Sequence, residues 1–199
     1  MNTKELDGYL KFLSEKQTAV QESGFDVEES DLSPQLFPFQ KYCVKRALKV
    51  GRFAMFEDCG LGKTYQQLEW AQQVVNHINK PVLILAPLGV IGQTIKEGVH
   101  FGYKVTEIAL TTFDQDLDAG IYITNYDNMD NIDAYLFGGV VLDESSILKN
   151  FAGKTRTALI EDFKNTPYKL CCTATPSPND TSELCNHAEF LNIMTRNEM

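Results

Sequence analysis

The sequence predicts an α/β fold in three layers, a mainly parallel sheet with helices on both faces, preceded by a helical and acidic N-terminal appendage. Three observations predict it. Apolar runs of strand length recur along the chain, helical patterns fill most of the intervals between them, and a glycine-rich turn joins the first run to the strongest helix. The runs are apolar throughout rather than alternating, as strands covered on both faces must be.

Residues 1–35 read as the appendage, with a helix expected over 4–20, then the polar stretch ESGFDVEESD and the breakers Pro34 and Pro38. The domain proper is expected over 36–199. From Gln40 the apolar positions Val44, Ala47 and Leu48 keep helical spacing until Gly51 stops the helix. FAMF at 53–56, VLILA at 82–86, IYIT at 121–124, VVLD at 140–143 and KLCCT at 169–173 read as buried strands, with KVTEIAL at 104–110 a weaker sixth. Leu68, Ala71, Val75 and Ile78 mark one face of the strong helix, and further helices are expected around 89–99, 153–164 and 181–194.

Composition narrows the function. At 199 residues and 43% hydrophobic, the chain can bury about 70% of its unfolded surface without disulfide or metal support. Its longest near-apolar run, Val82 to Gly92, is too short to cross a bilayer, so no membrane partner is expected. The first residues lack the basic start and apolar stretch of a signal peptide, and five cysteines without a C-x-x-C pair suit reduced thiols; a cytoplasmic location is the expectation. The net charge of -9 divides into -5 over residues 1–36, +4 over 37–112 and -8 over 113–199. Coating of nucleic acid by overall charge is excluded, and any such contact must be local, with the middle block as its candidate.

The strand FAMF runs into EDCGLGKT at 57–64, and a helix follows at once. A phosphate-binding loop needs that order. Gly60 and Gly62 let main-chain N–H groups turn inward with Asp58, Cys59 and Leu61 between and before them; Lys63 would reach the β- and γ-phosphates of ATP, and the Thr64 hydroxyl would meet Mg²⁺. The general pattern has Gly where this chain has Glu57. A plain glycine turn with a chance GKT is the competing reading.

VVLDESS sets Asp143 and Glu144 just past an apolar strand, 80 residues beyond Lys63. Asp143 there can hold Mg²⁺, and Glu144 can orient and deprotonate the attacking water. The same residues could instead cap a following helix.

These motifs, in this order, resemble the first RecA-like domain of superfamily two helicases of the DEAD/DEAH type. LFPFQ at 36–40 resembles the adenine-reading glutamine motif, EDCGLGKT motif I, LILAPLGV motif Ia, ITNYDNM motif Ib, LDESSILKN motif II and TATP at 173–176 motif III. GLGKT after an acid, and DE followed by LKN, look most like the Swi/Snf-type branch of double-stranded DNA translocases; TATPSPND resembles its viral and mobile-element relatives, which implies a bacterial or phage-infected cell.

The resemblance implies roles. Gln40 would read adenine, with Phe37 or Phe39 packed nearby. Pro87, Leu88 and Gln93, with Thr124 and Tyr126, would grip one nucleic-acid strand, duplex DNA being the expected partner. Thr173 and Thr175 would couple γ-phosphate state to those contacts; Ser146 stands where the branch usually has His. Motors of this superfamily also need a second RecA-like domain, and the chain reaches Met199 just past motif III. That domain is expected from a parent chain or in trans, and this chain alone is expected to bind Mg²⁺-ATP but turn it over slowly, since arginine fingers are worth about 10³ to 10⁵ in rate. Two other classes stay open, a P-loop enzyme such as a small-molecule kinase and a non-catalytic nucleotide-binding interaction module. Cys185 and His187 have no second ligand pair, so a packed helix is expected there; Cys171, Cys172, Tyr65 and Trp70 are expected to pack, and NKPV at 79–82 lacks the Asp of a guanine-reading motif.

Overall fold

Strands β1 (Arg52–Phe56), β2 (Val82–Ala86), β3 (Val105–Glu107), β4 (Ile121–Asn125), β5 (Gly139–Asp143) and β6 (Tyr168–Thr173) form one sheet in the order β1-β6-β5-β2-β4-β3, with every pairing parallel. The structure is a computed structural model that describes residues 22–108, 117–149, 153–195 and 198. The helix expected over 4–20 and the last two residues of KVTEIAL lie outside them.

Each strand feeds two cores because its side chains alternate between faces. Ile84, Val141, Leu170 and Cys172 meet α1 (Pro38–Val50), α2 (Lys63–Ile78) and α3 (Ile91–Phe101), while Leu83, Leu85, Leu142 and Cys171 meet α4 (Lys154–Asp162) and α5 (Leu184–Phe190). Three layers result, as expected. Where one helix was expected over 181–194, a 3-10 turn at Thr181–Glu183 precedes α5, and Leu191 closes the helix before Asn192 takes a left-handed backbone, φ 55°. No helix among the described residues is long and apolar enough to cross a membrane.

The described part of the N-terminal segment shares the first core. Leu32 and Leu36 are buried, and Phe25 stacks on His77 with ring centroids 3.8 Å apart. A helix leaves its last carbonyls without intrahelical partners. Here the N–H groups of Ser23, Gly24 and Phe25 donate to Val50, Lys49 and Leu48 at the end of α1. The acidic excess of the segment faces the bases of α1, with Glu22 2.6 Å from Arg46 and Asp26 3.5 Å from Lys49. These pairs are exposed and contribute at most about 1 kcal/mol each.

Candidate functional site

Since all six strands run one way, the loops after β1, β5 and β6 meet at a single edge. Phe56 pairs with Thr173 and Cys172 with Asp143, so only β6 separates the glycine loop from the acidic pair, a span of about 10 Å at the usual strand spacing.

The loop closes on itself. Gly60 (φ 82°) and Gly62 (φ 75°) take backbone conformations that side chains disfavour, and a Cβ on Gly62 would stand 2.5 Å from Gln40 Nε2. Lys63 Nζ donates to the carbonyls of Glu57 and Asp58, each at 2.9 Å. Gln40 is used at both ends of its amide: Nε2 donates to Leu61 O at 2.9 Å, and Oε1 accepts from Phe37 N at 2.9 Å, which caps α1. Glu57, which replaces the general glycine, anchors the loop, since Gln66 Nε2 donates to its Oε2 at 2.6 Å. Burial, reinforced by the Glu57 carboxylate, pushes the Cys43 thiol up to about 11.

Asp143 ends β5 and is 8% exposed. Gln67 Nε2, one turn into α2, donates to its Oδ1 at 2.7 Å. Burial raises the Asp143 carboxyl above the usual range, the Gln67 bond opposes this, Glu144 adds to it and Lys63 opposes it. Glu144 has φ 54° and an exposed side chain, whose Oε2 accepts from Thr173 Oγ1 at 3.3 Å; Thr175 N in turn donates to Thr173 Oγ1 at 3.1 Å. Motif III thus touches motif II through Thr173, not through Ser146. Ser145 turns inward, its Oγ 3.1 Å from His187 Nε2, and the His187 ring stands edge-on to Phe56.

Two hollows flank this edge. Gln40, Gly60, Leu61 and Gly62 line a cavity of about 740 Å³ together with Phe37, Phe39 and Tyr65. Pro87, Leu88, Tyr126, Glu144, Ser146 and Lys149 line a groove of about 500 Å³. Gln93, expected beside Pro87 and Leu88, lines the first hollow instead, because it lies on the α3 face that looks toward α2. Thr124 is buried and donates to Ile108 O at 3.0 Å, and the Tyr126 hydroxyl donates to Asp143 O at 2.6 Å. The hydroxyls expected to grip a strand are therefore spent inside the protein. Asp58 takes part through its main-chain carbonyl, and Cys59 is exposed at the loop tip. Sequence reasoning missed Gln66, Gln67 and Ser145, and expected His187 only as a packed helix residue, which it is; two adjacent glutamines one turn past Lys63 on a buried helix were the available signal.

A family model described as the SNF2-related domain matches residues 40–198. A search of curated proteins finds no match. Among solved structures, the Sulfolobus solfataricus SWI2/SNF2 ATPase core in complex with dsDNA is similar at TM-score 0.72 and 22% identity, over 86% of this chain and 39% of that one. The UvsW helicase from bacteriophage T4 is similar at TM-score 0.63 and 16% identity, over 98% and 66%. The Pyrococcus furiosus Hef helicase domain is similar at 0.65 and 15%, over 80% and 37%. This chain thus spans less than two thirds of the length of each. At such identities the likeness is one of fold, that of RecA-like helicase cores. Because the family match runs from Gln40 through both loop motifs to residue 198, the chain belongs to the SNF2-related domain family, on the Swi/Snf-type branch of superfamily two.

Proposed function

We propose that the chain is the first motor domain of a nucleic-acid-dependent ATPase, binding ATP with Mg²⁺ and acting on duplex DNA together with a second RecA-like domain. The bond from Gln67 to Asp143 carries this reading. It ties the helix that begins with Lys63 and Thr64 to the strand that ends in the acidic pair, across one sheet edge.

The groups present fit a nucleoside triphosphate and a hard divalent cation. Gly60 has open space where a Cβ would be, so phosphate oxygens can approach the loop closely. Lys63 would exchange the carbonyls of Glu57 and Asp58 for phosphate oxygens, and the 16-residue helix α2 directs its N-terminal N–H groups at the same place. Thr64 and Asp143 would hold Mg²⁺, which favours few carboxylates and keeps several waters. Bound there, Mg²⁺ supplies charge neutralisation on the β- and γ-phosphates. Glu144, exposed and steadied by Thr173, would orient a water and take its proton. The cavity beside Gln40, walled by Phe37 and Phe39, suits a nucleobase.

Pro87, Leu88 and Lys149 would meet a nucleic-acid strand in the second groove, which Ser146 also lines, with Thr175 and Thr173 relaying to Glu144. The dsDNA-bound Sulfolobus core supports duplex DNA as the polymer, and its length, of which this chain spans 39%, supports a second motor domain as the partner of this one. We take residues 36–199 as the motor domain, with 22–35 fastened to it.

Calorimetric titration with Mg²⁺-ATP tests the reading. Lys63→Ala is expected to raise Kd by about tenfold or more, roughly 1.4 kcal/mol. Unchanged affinity would refute it. ATP turnover is expected to stay slow until duplex DNA and a second motor domain are both supplied.

A further inference from the structure

We propose that Tyr126 transmits nucleic-acid occupancy of the groove to the acidic pair, by holding the peptide that joins Asp143 to Glu144. This inference rests on the ATPase reading and deepens it.

Tyr126 belongs to both places at once. It lines the groove with Pro87 and Leu88, and a second hollow of about 270 Å³ with Lys154. Its hydroxyl reaches the other way and donates to Asp143 O at 2.6 Å, in a buried bond. Tyr126 starts the 3-10 turn Tyr126–Asn131 directly after β4, so a load on that turn acts on the ring and, through the ring, on the hydroxyl.

The acceptor matters. A peptide is planar, so the carbonyl of Asp143 and the N–H of Glu144 rotate as one unit. Glu144 follows with φ 54°, a left-handed backbone that is unfavourable for a non-glycine residue and persists only where its surroundings impose it. Here they impose it from both sides. Tyr126 fixes the plane before Glu144, and the Ser145 contact with His187 at 3.1 Å fixes the residue after it. The direction of the Glu144 carboxylate, and hence its reach to a water, follows from those two anchors. His187 does not line the groove, whereas Tyr126 does. A strand seated in the groove would therefore act on Glu144 through Tyr126. Tyr126 is a positioning residue, and it touches neither nucleotide nor Mg²⁺ in this scheme.

The test is thermodynamic coupling. Affinity of the chain for a labelled DNA duplex is measured by fluorescence anisotropy, with and without Mg²⁺ and a non-hydrolysable ATP analogue. The unsubstituted chain is expected to show a ratio of about fivefold or more between the two conditions, at the lower end of allosteric couplings. Tyr126→Phe keeps the ring and deletes the hydroxyl. It is expected to bring the ratio within about twofold of one, whatever it does to either affinity measured alone. A purely structural role would lower the melting temperature or both affinities and leave the ratio alone.

A second measurement needs no substitution. Duplex DNA without nucleotide is expected to change hydrogen exchange in residues 143–149. A Tyr126→Phe chain with the parental ratio, or unchanged exchange with DNA bound, overturns the proposal and leaves the ATPase reading standing. Failure of the unsubstituted chain to bind any nucleotide overturns both.

Discussion

Lys169 offers a test of the packing that carries the site. It lies in β6 with no exposed surface, its ammonium donating to Phe190 O at 2.8 Å and Asn192 Oδ1 at 3.2 Å, 5.0 Å from the Phe190 ring centroid. Burial, with Arg52 nearby, lowers it from 10.5 to about 8. The unfolded chain therefore holds this proton to higher pH than the folded one, so stability rises as pH climbs from about 8 to 10.5. Integrated between pH 7.5 and 9.5, the gain is about 2 kcal/mol. Lys169→Met removes that titration and keeps the apolar stem. Buried Tyr126 and Cys172 thiol and phenol groups, both raised, act in the opposite sense at high pH, but they do so in parent and variant alike and cancel in the difference. Urea unfolding followed by circular dichroism at the two pH values should show the parent gaining about 2 kcal/mol relative to Lys169→Met. Parallel behaviour of the two proteins would refute the buried-lysine account, and with it the anchoring of α5 to the sheet.

Further outcomes are expected elsewhere. Gly62→Ala imposes a Cβ at φ 75° and 2.5 Å from Gln40 Nε2, and should cost about 1 to 2 kcal/mol in urea unfolding while weakening nucleotide binding in calorimetry. Gly24→Ala would set a Cβ 1.8 Å from Leu48 O, so the three main-chain bonds from Ser23, Gly24 and Phe25 must break; protease cleavage near residue 24 should then outpace that of the parent. Thr173→Val removes the bond to Glu144 and should lower DNA-stimulated turnover by about tenfold with nucleotide affinity unchanged, measured once a second motor domain is supplied.

Local signals made the frame of this molecule legible. The apolar runs at 82–86, 121–124, 140–143 and 169–173 lie within observed strands, because a strand buried on both faces has little choice of composition. The strand order β1-β6-β5 was not legible, since it sets β1 beside β6, more than a hundred positions away, through contacts that leave no periodicity. Polar residues misled wherever their partner was distant. Gln67 carries no signal of its own until Asp143 stands opposite it, and Thr124 and Tyr126 read as gripping a nucleic-acid strand until Ile108 O and Asp143 O take their hydroxyls. The stretch ESGFDVEESD reads as a detached acidic tail because its acids are visible and the bases of α1 that face them are twenty residues away.

The resting site also constrains how a nucleotide could enter it. Lys63, Gln40 and Gln66 spend their donors on the loop itself, so the loop is closed by its own polar groups rather than held open. For Lys63 to swing onto the phosphates it must give up its two bonds to the loop, each worth about 1.5 to 3 kcal/mol as contacts of a charged donor. Phosphate oxygens replace neutral carbonyls with charged acceptors, so the ammonium gains the attraction of an opposite charge as well as a bond. The exchange is favourable only if both bonds are replaced together. Nucleoside monophosphate, which lacks the β- and γ-oxygens that Lys63 would take, cannot complete the exchange. It should bind at least about tenfold more weakly than the triphosphate, a discrimination set by the closed loop and not by the base cavity beside Gln40. Equal affinity for mono- and triphosphate in calorimetry would mean that Lys63 keeps its hold on Glu57 and Asp58 and takes no part in binding.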